Sequence, residues 1–459
     1  MNVDGSEGTL HRKALAERRN FSKSHDCLQR ARKHLALGVS SSFRAKAQPF
    51  PLYVKQGKGA WFWDIDGNRF LDHCLAWGPL ILGHCHAAIN EAIRAQLNRG
   101  YIYGAQCELE FQVAERICEL VPCAQRVLFA NTGTEAVQGA LRLARARTGR
   151  PKIVKFEGHY HGSGDNVFVS YHPALERAGH LPAPDAVPEG HGQLASAYGD
   201  TVVLPWNDAS LLERYLDQHG GEVAGVIMEP ILCNSGCLFP KPGYLEVVRC
   251  LTERHSVALI FDEVITGFRV ALGGAQALLG VTPDLAIFGK AIAGGFPLSV
   301  IAGKSQLIEE VDNGRVIHAG TFNGNPVVLS AALVTLDTLA QENGAALKRA
   351  ASYGEKVMGQ LRQLAPENGV PLRVHGHGAV FRPVIGGPAS ISHYREFASS
   401  DAKAMQQFVI ELFRQGIYSV PDGRWYVSVA HGQAELSFLQ EALVRAFCRF
   451  SKNYHSGGK

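Results

Sequence analysis

At 459 residues the chain is longer than a typical single domain, so its length predicts two or more units that each bury a core. The 46 Lys and Arg residues only slightly exceed the 42 Asp and Glu residues. The resulting formal charge of +4 is spread along the chain, which argues against nucleic acid or an anionic membrane as a partner. No apolar run approaches the ~18 residues of a membrane span, and the first residues lack the charged-then-apolar layout of a secretory signal. Ten cysteines at irregular spacing, with no Cys-x-x-Cys pattern, indicate reduced thiols and a cytoplasmic protein.

The N-terminal region predicts one helix and one hairpin behind a polar arm. Residues 1–24 are polar and basic and are expected to form a loose arm. The apolar spacing from Asp26 to Leu37 predicts a helix that Gly38 ends. Residues 61–68 predict a strand and an Asp-Gly-Asn turn, hence a hairpin.

Two histidines, His84 and His86, follow the hairpin in a Gly-His-Cys-His string. They are a weak signal for a metal site because no third ligand has a suitable spacing. A loop before a helix that begins near Ala88 is the better interpretation, and no metal is predicted.

A strand, a Gly-Thr turn and a helix come next, in an order typical of a phosphate site. Residues 127–130 form a short apolar strand, and a helix of about fourteen residues with a basic C-terminal half follows the turn. The N–H groups of Gly133 and Thr134 would lie free at the positive end of the helix dipole, where phosphate binds. Many such turns carry Gly and Thr merely as a helix cap, so the turn by itself is weak evidence for a phosphate site. It becomes useful evidence together with the acid and the lysine described below.

The next strand, residues 153–156, leads into a Gly-His-Tyr-His-Gly string that contains Tyr160. An aromatic ring at a strand end can stack on a planar cofactor ring, although a loop tyrosine also packs for its own sake. Residues 171–199 carry several Pro, Gly and His residues without a clear period and predict a long loop of functional or mobile character.

The centre of the chain carries the strongest chemical signal. Two apolar runs, residues 257–261 and 285–288, are typical of buried parallel strands. The first is followed by Asp262 and Glu263 and the second by Lys290. Because ligands of open α/β sheets bind beyond the carboxyl ends of the strands, an acid and this amine are candidates for one site. Pyridoxal phosphate needs such a pair: a lysine forms a Schiff base with its aldehyde, and an aspartate pairs with its ring nitrogen. The alternative is an aspartate that caps a helix and a solvated lysine.

Strands and helices alternate through this region. Residues 223–228 add a strand and residues 243–255 a helix. The alternation predicts an α/β fold with a mostly parallel sheet and crossover helices. The C-terminal region predicts a smaller α+β unit, with three strand segments and a final helix at residues 374–384, 416–420, 425–430 and 435–450.

A series of short motifs runs along the chain in a fixed order. They are Gly38-Val39 with Ser41 and Arg44, Trp77-Gly78-Pro79, residues 131–136, 156–162 and 262–272, Gly289-Lys290 and Gly320-Thr321. In this order the chain resembles the class III aminotransferases of fold type I, and most closely the glutamate-1-semialdehyde 2,1-aminomutase branch. The resemblance implies a large domain with a mostly parallel seven-stranded sheet and a smaller α+β domain built from both termini. We expect residues 1–80 to form an N-terminal arm and part of the small domain, 81–330 the large cofactor-binding domain, and 331–459 the C-terminal small domain.

The resemblance also implies that Lys290 forms the Schiff base and that Asp262 pairs with the ring nitrogen, so these two are the expected catalytic residues. The other residues expected to bind pyridoxal 5'-phosphate are Gly133 and Thr134 at the phosphate, Tyr160 and Val264 on the two ring faces, and Thr321. Thr321 matches a threonine that reaches the phosphate of the other subunit, which implies a homodimer with shared active sites.

At the substrate end, Ser41 and Arg44 match positions near the substrate carboxylate, and Trp77 matches an aromatic residue of the site wall. An arginine suits a carboxylate because its planar fork binds both oxygens. The chain departs from the aminomutase pattern at Gly423, where that branch has a glutamate. Beside this position, Arg424 is a weaker candidate for a second carboxylate contact, and the alternative is a turn residue that points to water.

Three functions are weighed against these residues. The first is a ping-pong aminotransferase that moves an amino group from an amino acid or amine donor to a keto or aldehyde acceptor. The second is a 2,1-aminomutase of the glutamate-1-semialdehyde type, or a racemase, that uses the same lysine without releasing a product between half-reactions. The third, a dinucleotide-dependent oxidoreductase or a binding module, is disfavoured because no Gly-x-Gly-x-x-Gly follows the first strand. The aminotransferase is preferred, since Gly423 and the loop after His161 both differ from the aminomutase pattern.

Overall fold

The computed structural model describes residues 19–456, so most of the predicted N-terminal arm lies outside the described residues. The strands, in chain order, are β1 (Val54–Lys58), β2 (Trp61–Asp64), β3 (Arg69–Asp72), β4 (Arg126–Ala130), β5 (Lys152–Phe156), β6 (Gly179–His180), β7 (Ala183–Pro184), β8 (Thr201–Leu204), β9 (Val223–Met228), β10 (Ala258–Asp262), β11 (Leu285–Phe288), β12 (Ser299–Gly303), β13 (Leu372–His377), β14 (Val380–Ile385), β15 (Ile417–Tyr418) and β16 (Trp425–Tyr426). The α helices are α1 (Ser22–Ala31), α2 (Ser42–Ala45), α3 (Ala87–Leu97), α4 (Glu108–Leu120), α5 (Gly133–Thr148), α6 (Ala195–Tyr198), α7 (Ala209–His219), α8 (Tyr244–Arg254), α9 (Gly274–Leu279), α10 (Ser305–Asp312), α11 (Pro326–Ala340), α12 (Ala345–Glu367), α13 (Tyr394–Ala398), α14 (Ala402–Arg414) and α15 (Gln433–Ser456).

A seven-stranded sheet lies at the centre of the molecule, with its strands in the order β4-β12-β11-β10-β9-β5-β8. Neighbours from β11 to β8 pair in parallel, whereas β12 runs antiparallel to both β11 and β4. In β10, Leu259 and Phe261 pack toward α8 and α11, while Ala258 and Ile260 pack toward α5 on the other face. Because both faces are covered, the strands are continuous apolar runs in the sequence. The predicted α/β fold with a mostly parallel seven-stranded sheet is confirmed.

Strands from both ends of the chain form two smaller sheets. One has the order β1-β2-β3-β15, in which the C-terminal β15 pairs in parallel with β3, and the other has the order β13-β14-β16. Ala60, between β1 and β2, and Leu71 of β3 share one apolar core with residues of α12, α14 and α15. The smaller α+β unit built from both termini is therefore present, and the domain boundaries at residues 80 and 330 stay a prediction.

The first helix differs from its predicted extent. The sequence predicts a helix from Asp26 to Leu37, whereas α1 begins earlier, inside the predicted arm, and also ends earlier. The first-turn N–H groups of Lys23 and Ser24 both donate to the carboxylate of Asp66 at 2.8 Å. This acid caps α1 from the turn of the hairpin, a contact between distant segments that the local sequence does not reveal. Both predicted ends of this helix are wrong.

The hairpin of β2 and β3, the strand–turn–helix of β4 and α5 and the long C-terminal helix are present as predicted. The 171–199 region is mostly irregular, apart from the short pairing of β6 with β7, a single helical turn and α6. Within residues 19–456, none of the helices combines the length and the apolar composition needed to cross a membrane.

Candidate active site

Three side chains converge where neighbouring strands of the large sheet end. Glu229 follows β9, Asp262 is the last residue of β10, and Lys290 follows β11 after one glycine. Together with the turn before α5 they line a cavity of about 380 Å³, a size typical of small-molecule sites. Six of the predicted residues line this cavity, namely Gly133, Thr134, Tyr160, Asp262, Val264 and Lys290. The structure therefore brings together the residues that the sequence predicts for one subunit's share of a cofactor site.

Asp262 is a buried carboxylate with two donors. Its Oδ1 accepts from the Val264 N–H at 3.2 Å, and its Oδ2 accepts from His161 Nδ1 at 2.8 Å. Burial raises the pKa of Asp262 to about 7, against the opposing charge of Lys290. Burial also lowers the pKa of His161 well below its usual range, so this ring is neutral. A cation placed against Asp262 in the cavity would favour the ionised carboxylate.

The neighbouring acid, Glu263, serves the fold rather than the cavity. Its carboxylate accepts from the Thr266 hydroxyl at 2.7 Å and from the N–H groups of Ala275 and Gln276 at 2.6 and 3.0 Å. Both N–H groups belong to the first turn of α9, so Glu263 caps that helix from a buried position.

Replacing Glu263 by alanine is expected to lower the free energy of unfolding by roughly 2–5 kcal/mol, because buried N–H groups of α9 lose their acceptor. Urea unfolding measures the change. Glu355→Ala, at an exposed position of α12, is the control and is expected to stay within about 0.5 kcal/mol of the unchanged protein. Equal small changes in both variants would contradict the capping role.

Lys290 stands in a strained backbone conformation. Its φ is 43°, in the left-handed region that residues with a side chain rarely adopt, and it begins the short 3-10 helix Lys290–Ala293. Such strain persists where the surrounding structure imposes it, and it clusters at active sites. Burial, followed by the charge of Arg424, lowers the pKa of Lys290 to about 8. The side chain is therefore partly neutral near physiological pH, and the neutral amine is the form that attacks a carbonyl group.

The N-terminus of α5 also lines the cavity. The Thr132 hydroxyl accepts from the Glu135 N–H at 3.2 Å, and the Glu135 carboxylate accepts from the N–H groups of Asn131 and Thr132 at 2.8 and 3.0 Å. None of residues 19–456 accepts a hydrogen bond from the N–H groups of Gly133 and Thr134. Two donors therefore remain at the positive end of the helix dipole, at the positions that the sequence predicts for a phosphate.

The loop after β5 packs against this helix start through a glycine. Gly162 has a φ of 87°, and a Cβ atom there would lie 2.6 Å from the hydroxyl oxygen of Thr134. The Ser163 N–H donates to the same oxygen at 3.1 Å. A glycine is thus required for the loop to bring Tyr160 beside the N-terminus of α5.

Phe43 connects the predicted substrate loop to the cavity. Its ring centroid lies 6.1 Å from that of Tyr160 and 6.0 Å from that of Trp77. Ser41 and Arg44 flank Phe43 in the sequence and, like Trp77, lie outside the cavity lining. Arg44 is exposed and donates to a serine hydroxyl of its own loop at 2.7 Å. The structure places Phe43 against Tyr160 of the cavity lining, and the contact of Ser41, Arg44 and Trp77 with substrate stays a prediction.

Arg424 is buried, with 2% of its surface exposed, so the alternative of a turn residue that points to water is wrong. Its guanidinium donates to Asn234 Oδ1 at 2.9 Å and to the Asp422 carboxylate at 3.3 Å. Asn234 lines the cavity, which places Arg424 directly behind the cavity wall. Its role toward a second carboxylate stays a prediction.

Thr321 is exposed and lies outside the cavity lining. Its segment is joined to the start of α5, because Asn131 Nδ2 donates to Asn323 Oδ1 at 3.0 Å. Thr321 is accessible to another molecule, and its role in a partner's site stays a prediction.

Sequence reasoning missed four residues in this region, namely Phe43, His161, Glu229 and Asn234. Glu229 accepts from the Tyr160 N–H at 3.0 Å and from the Asn234 N–H at 3.2 Å, and burial raises its pKa to about 7. The sequence could have identified Glu229, because it comes directly after the apolar run of residues 223–228, as Asp262 comes after the run of residues 257–261. His161 lies in the 156–162 motif, where the sequence assigned it no role, whereas Phe43 and Asn234 act through contacts between distant segments that the local sequence does not mark.

The donor set fits pyridoxal phosphate. Two free N–H groups suit a phosphate, a buried carboxylate suits a protonated ring nitrogen, and an amine of lowered pKa suits an aldehyde. These groups, at the carboxyl edge of a mostly parallel sheet, define an α/β enzyme of the pyridoxal-phosphate-dependent type.

The chain belongs to the class III aminotransferase family, since the family model described as "Aminotransferase class-III" matches residues 42–429. A glutamate-1-semialdehyde 2,1-aminomutase of Methanocaldococcus jannaschii is 38% identical over 431 residues, which cover 93% of this chain and 98% of that protein. The solved omega-transaminase from Sphaerobacter thermophilus superposes with a TM-score of 0.88 at 34% identity, over 94% of this chain and 98% of that one. A transaminase solved with PLP bound superposes with a TM-score of 0.85 at 30% identity, over 95% of this chain and 99% of that one. The predicted family and fold type are confirmed, which leaves an oxidoreductase or a binding module without support.

Proposed function

We propose that this chain is an aminotransferase that moves an amino group from an amino acid or amine donor to a keto or aldehyde acceptor in a ping-pong reaction, with pyridoxal phosphate as its cofactor. The observation that carries the proposal is the cavity shared by Lys290, Asp262 and the free N–H groups of α5. Those are the groups that this chemistry requires from the protein.

In this proposal, Asp262 pairs with the ring nitrogen, Gly133 and Thr134 hold the phosphate, and Tyr160 and Val264 contact the two ring faces. The bound cofactor supplies an electron-withdrawing ring that stabilises negative charge on the carbon bearing the amino group. The negative charge of Asp262 favours a protonated ring nitrogen, and the hydrogen bonds from His161 and Val264 favour the ionised form of Asp262.

Lys290 binds the cofactor and then moves the proton. Its Nζ would accept a proton from the substrate carbon and give that proton up again later in the reaction, which is general acid–base catalysis by one amine. A pKa of about 8 suits both directions, because the amine gains and loses a proton near physiological pH.

We further infer that at least one substrate is an amino or keto acid whose carboxylate binds near the cavity mouth. Arg44 belongs to the loop that packs toward the cavity through Phe43. Arg424 is already paired with Asp422, so it is the weaker candidate for a carboxylate contact. Two further residues, Ser41 and Trp77, would complete this end of the site.

Arg44→Ala is expected to raise the KM for acid substrates by about ten- to hundredfold and to spare simple amines, because only acids lose a charge-assisted hydrogen bond. Steady-state kinetics with one acid and one amine donor measure the difference. Arg94→Ala, an exposed arginine on α3, is the control and should change neither. Equal losses for both substrate types would mean that Arg44 supports the loop, and the carboxylate model would be wrong.

The decisive experiment is a panel of amino donors offered to the purified protein and scored by the visible spectrum of its bound cofactor. An aminotransferase is expected to convert one equivalent of donor per site and then to require an added keto acid for turnover. The second candidate is an aminomutase or racemase, which the 38% identity to a named aminomutase favours. Product formed in many turnovers without an added keto acid would establish that candidate and reject ours.

We also propose a homodimer in which Thr321 approaches the partner's phosphate. Large apolar side chains lie exposed near this segment: Ile317 is 77%, Phe322 60% and Tyr101 67% exposed. Asn325 Nδ2 donates to the Tyr101 carbonyl at 3.0 Å, so these side chains belong to adjoining segments. Such a surface favours association with a second copy.

The ten cysteines are free thiols, which supports the cytoplasmic location that we propose.

A further inference from the structure

Behind Asp262, three neighbouring rings each carry a buried nitrogen that has no hydrogen-bond partner in the described part of the chain. These nitrogens are Nε2 of His161, Nε2 of His159 and Nε1 of Trp206. The His159 ring centroid lies 5.9 Å from that of His161 and 5.5 Å from that of Trp206. Buried polar atoms in folded proteins are nearly always hydrogen-bonded, so this cluster calls for a partner.

The hydrogen bonds made by the Nδ1 atoms of the two histidines show which ring nitrogen carries the hydrogen in each. His159 Nδ1 accepts from the Glu229 N–H at 2.9 Å, so the hydrogen of the neutral ring sits on Nε2. With Asp262 ionised, His161 Nδ1 donates to its Oδ2 at 2.8 Å, so the Nε2 of His161 is an acceptor. Burial lowers the pKa of both histidines well below the usual range, which keeps both rings neutral. The cluster therefore contains two donors, His159 Nε2–H and Trp206 Nε1–H, and one acceptor, His161 Nε2.

We propose that one internal water molecule binds in this cluster, accepting hydrogen bonds from His159 and Trp206 and donating one to His161. Three polar partners are typical of an internal water. Two nitrogens that each lie ~2.9 Å from one water oxygen are roughly 4.5–5 Å apart, a separation compatible with ring centroids 5.9 Å apart. Donors and acceptor are complementary, and no direct bond between the two Nε2 atoms competes with the water.

The water completes a chain in which every hydrogen bond points toward Asp262. The Glu229 N–H donates to His159, His159 to the water, the water to His161, and His161 to Asp262. Hydrogen bonds in such a chain polarise one another and stabilise a negative charge at its end. His159 is thus a positioning residue that acts on Asp262 through the water and His161. This consequence rests on the proposed function, whereas the water site itself does not.

The first test is a crystal structure of the unchanged protein at a resolution that shows internal waters. One water oxygen is expected within about 3.2 Å of both Nε2 atoms. A direct contact between the two rings, or no density there while other internal waters are visible, would overturn the proposal.

The second test uses a matched pair of variants at one position. His159→Asn keeps an acceptor for the Glu229 N–H but removes the Nε2 donor, whereas His159→Gln places a donor where Nε2 was. Nitrogen-15 NMR of the histidine rings, recorded without substrate above the pKa of Asp262, reports the hydrogen position on His161. The His161 Nε2 signal is expected to shift in His159→Asn and to return toward its original position in His159→Gln.

Trp206→Phe removes one donor while keeping an aromatic ring, and it should shift the same signal even if His159→Asn folds poorly. In His159→Asn, kcat is expected to fall about three- to tenfold with KM unchanged, the effect of one net hydrogen bond. His161 signals that stay unchanged in these variants would overturn the proposal. Loss of transamination in the panel experiment, with the water and the NMR shifts present, would instead reject the proposed function.

Discussion

Replacing Lys290 by alanine is expected to abolish multiple turnover, with a loss of at least about 10³-fold, while the protein still folds. In the proposed mechanism, the variant lacks both the amine that bonds to the cofactor and the atom that moves the proton. Folding is spared because alanine also carries a Cβ atom, so a φ of 43° costs the two residues about the same. Steady-state transamination with a donor and an added keto acid measures the loss.

The same variant is expected to retain the cofactor without a covalent bond, because the N–H groups of Gly133 and Thr134 and the carboxylate of Asp262 act independently of the lysine. Equilibrium dialysis measures this binding. Lys290→Arg keeps the positive charge and should be as inactive as the alanine variant, which separates the need for an amine from the need for a cation. Substantial multiple turnover by either variant would remove Lys290 from the mechanism.

Asp262→Asn is expected to bind the cofactor but to lose at least about 100-fold in kcat, because the ring nitrogen loses the charge that keeps it protonated. The shape of the side chain is kept, and the amide oxygen can still accept from His161 or from the Val264 N–H. A rate near that of the unchanged protein would remove Asp262 from the site. Glu263→Ala tests the neighbouring acid, since it should lower stability through the cap of α9 without a comparable loss of kcat per folded molecule.

Although Asp262→Asn should lose activity, its stability without the cofactor should not fall. The pKa of Asp262 in the folded protein is about 7, above its ordinary value of 3.8. Between these two pH values the folded state binds more protons than the unfolded state, so the free energy of unfolding falls as the pH rises. Asparagine has no such ionisation, and the cofactor-free variant should therefore be at least as stable as the unchanged protein above pH 7. Urea unfolding of both proteins, at a pH below and a pH above this window, checks the direction of the change. If Asp262→Asn is less stable than the unchanged protein at the higher pH, the prediction is wrong.

The centre of the site could be predicted because its signals are local. A strand buried on both faces must be a continuous apolar run, so β10 and β11 are visible in the sequence, and ligands bind where such strands end. The amine of Lys290 and the two acids at the end of β10 follow directly from that rule. The N–H groups before α5 follow from the capping pattern of a strand–helix turn.

What the sequence by itself determined is the sheet, the acid and the amine at its carboxyl edge, and the family. What only the tertiary structure decided is which groups meet across the chain. Side chains at successive positions of a strand point to opposite faces, so the sequence implies that Asp262 and Glu263 differ, but only the packing around β10 decides that Asp262 lines the cavity and Glu263 caps α9. The burial of Arg424 behind Asn234, the contact of Phe43 with Tyr160 and the cap that Asp66 provides to α1 likewise join segments far apart in the chain. Such contacts leave no periodic or local pattern, because their free energy comes from the folded arrangement and not from the residues next to them in sequence.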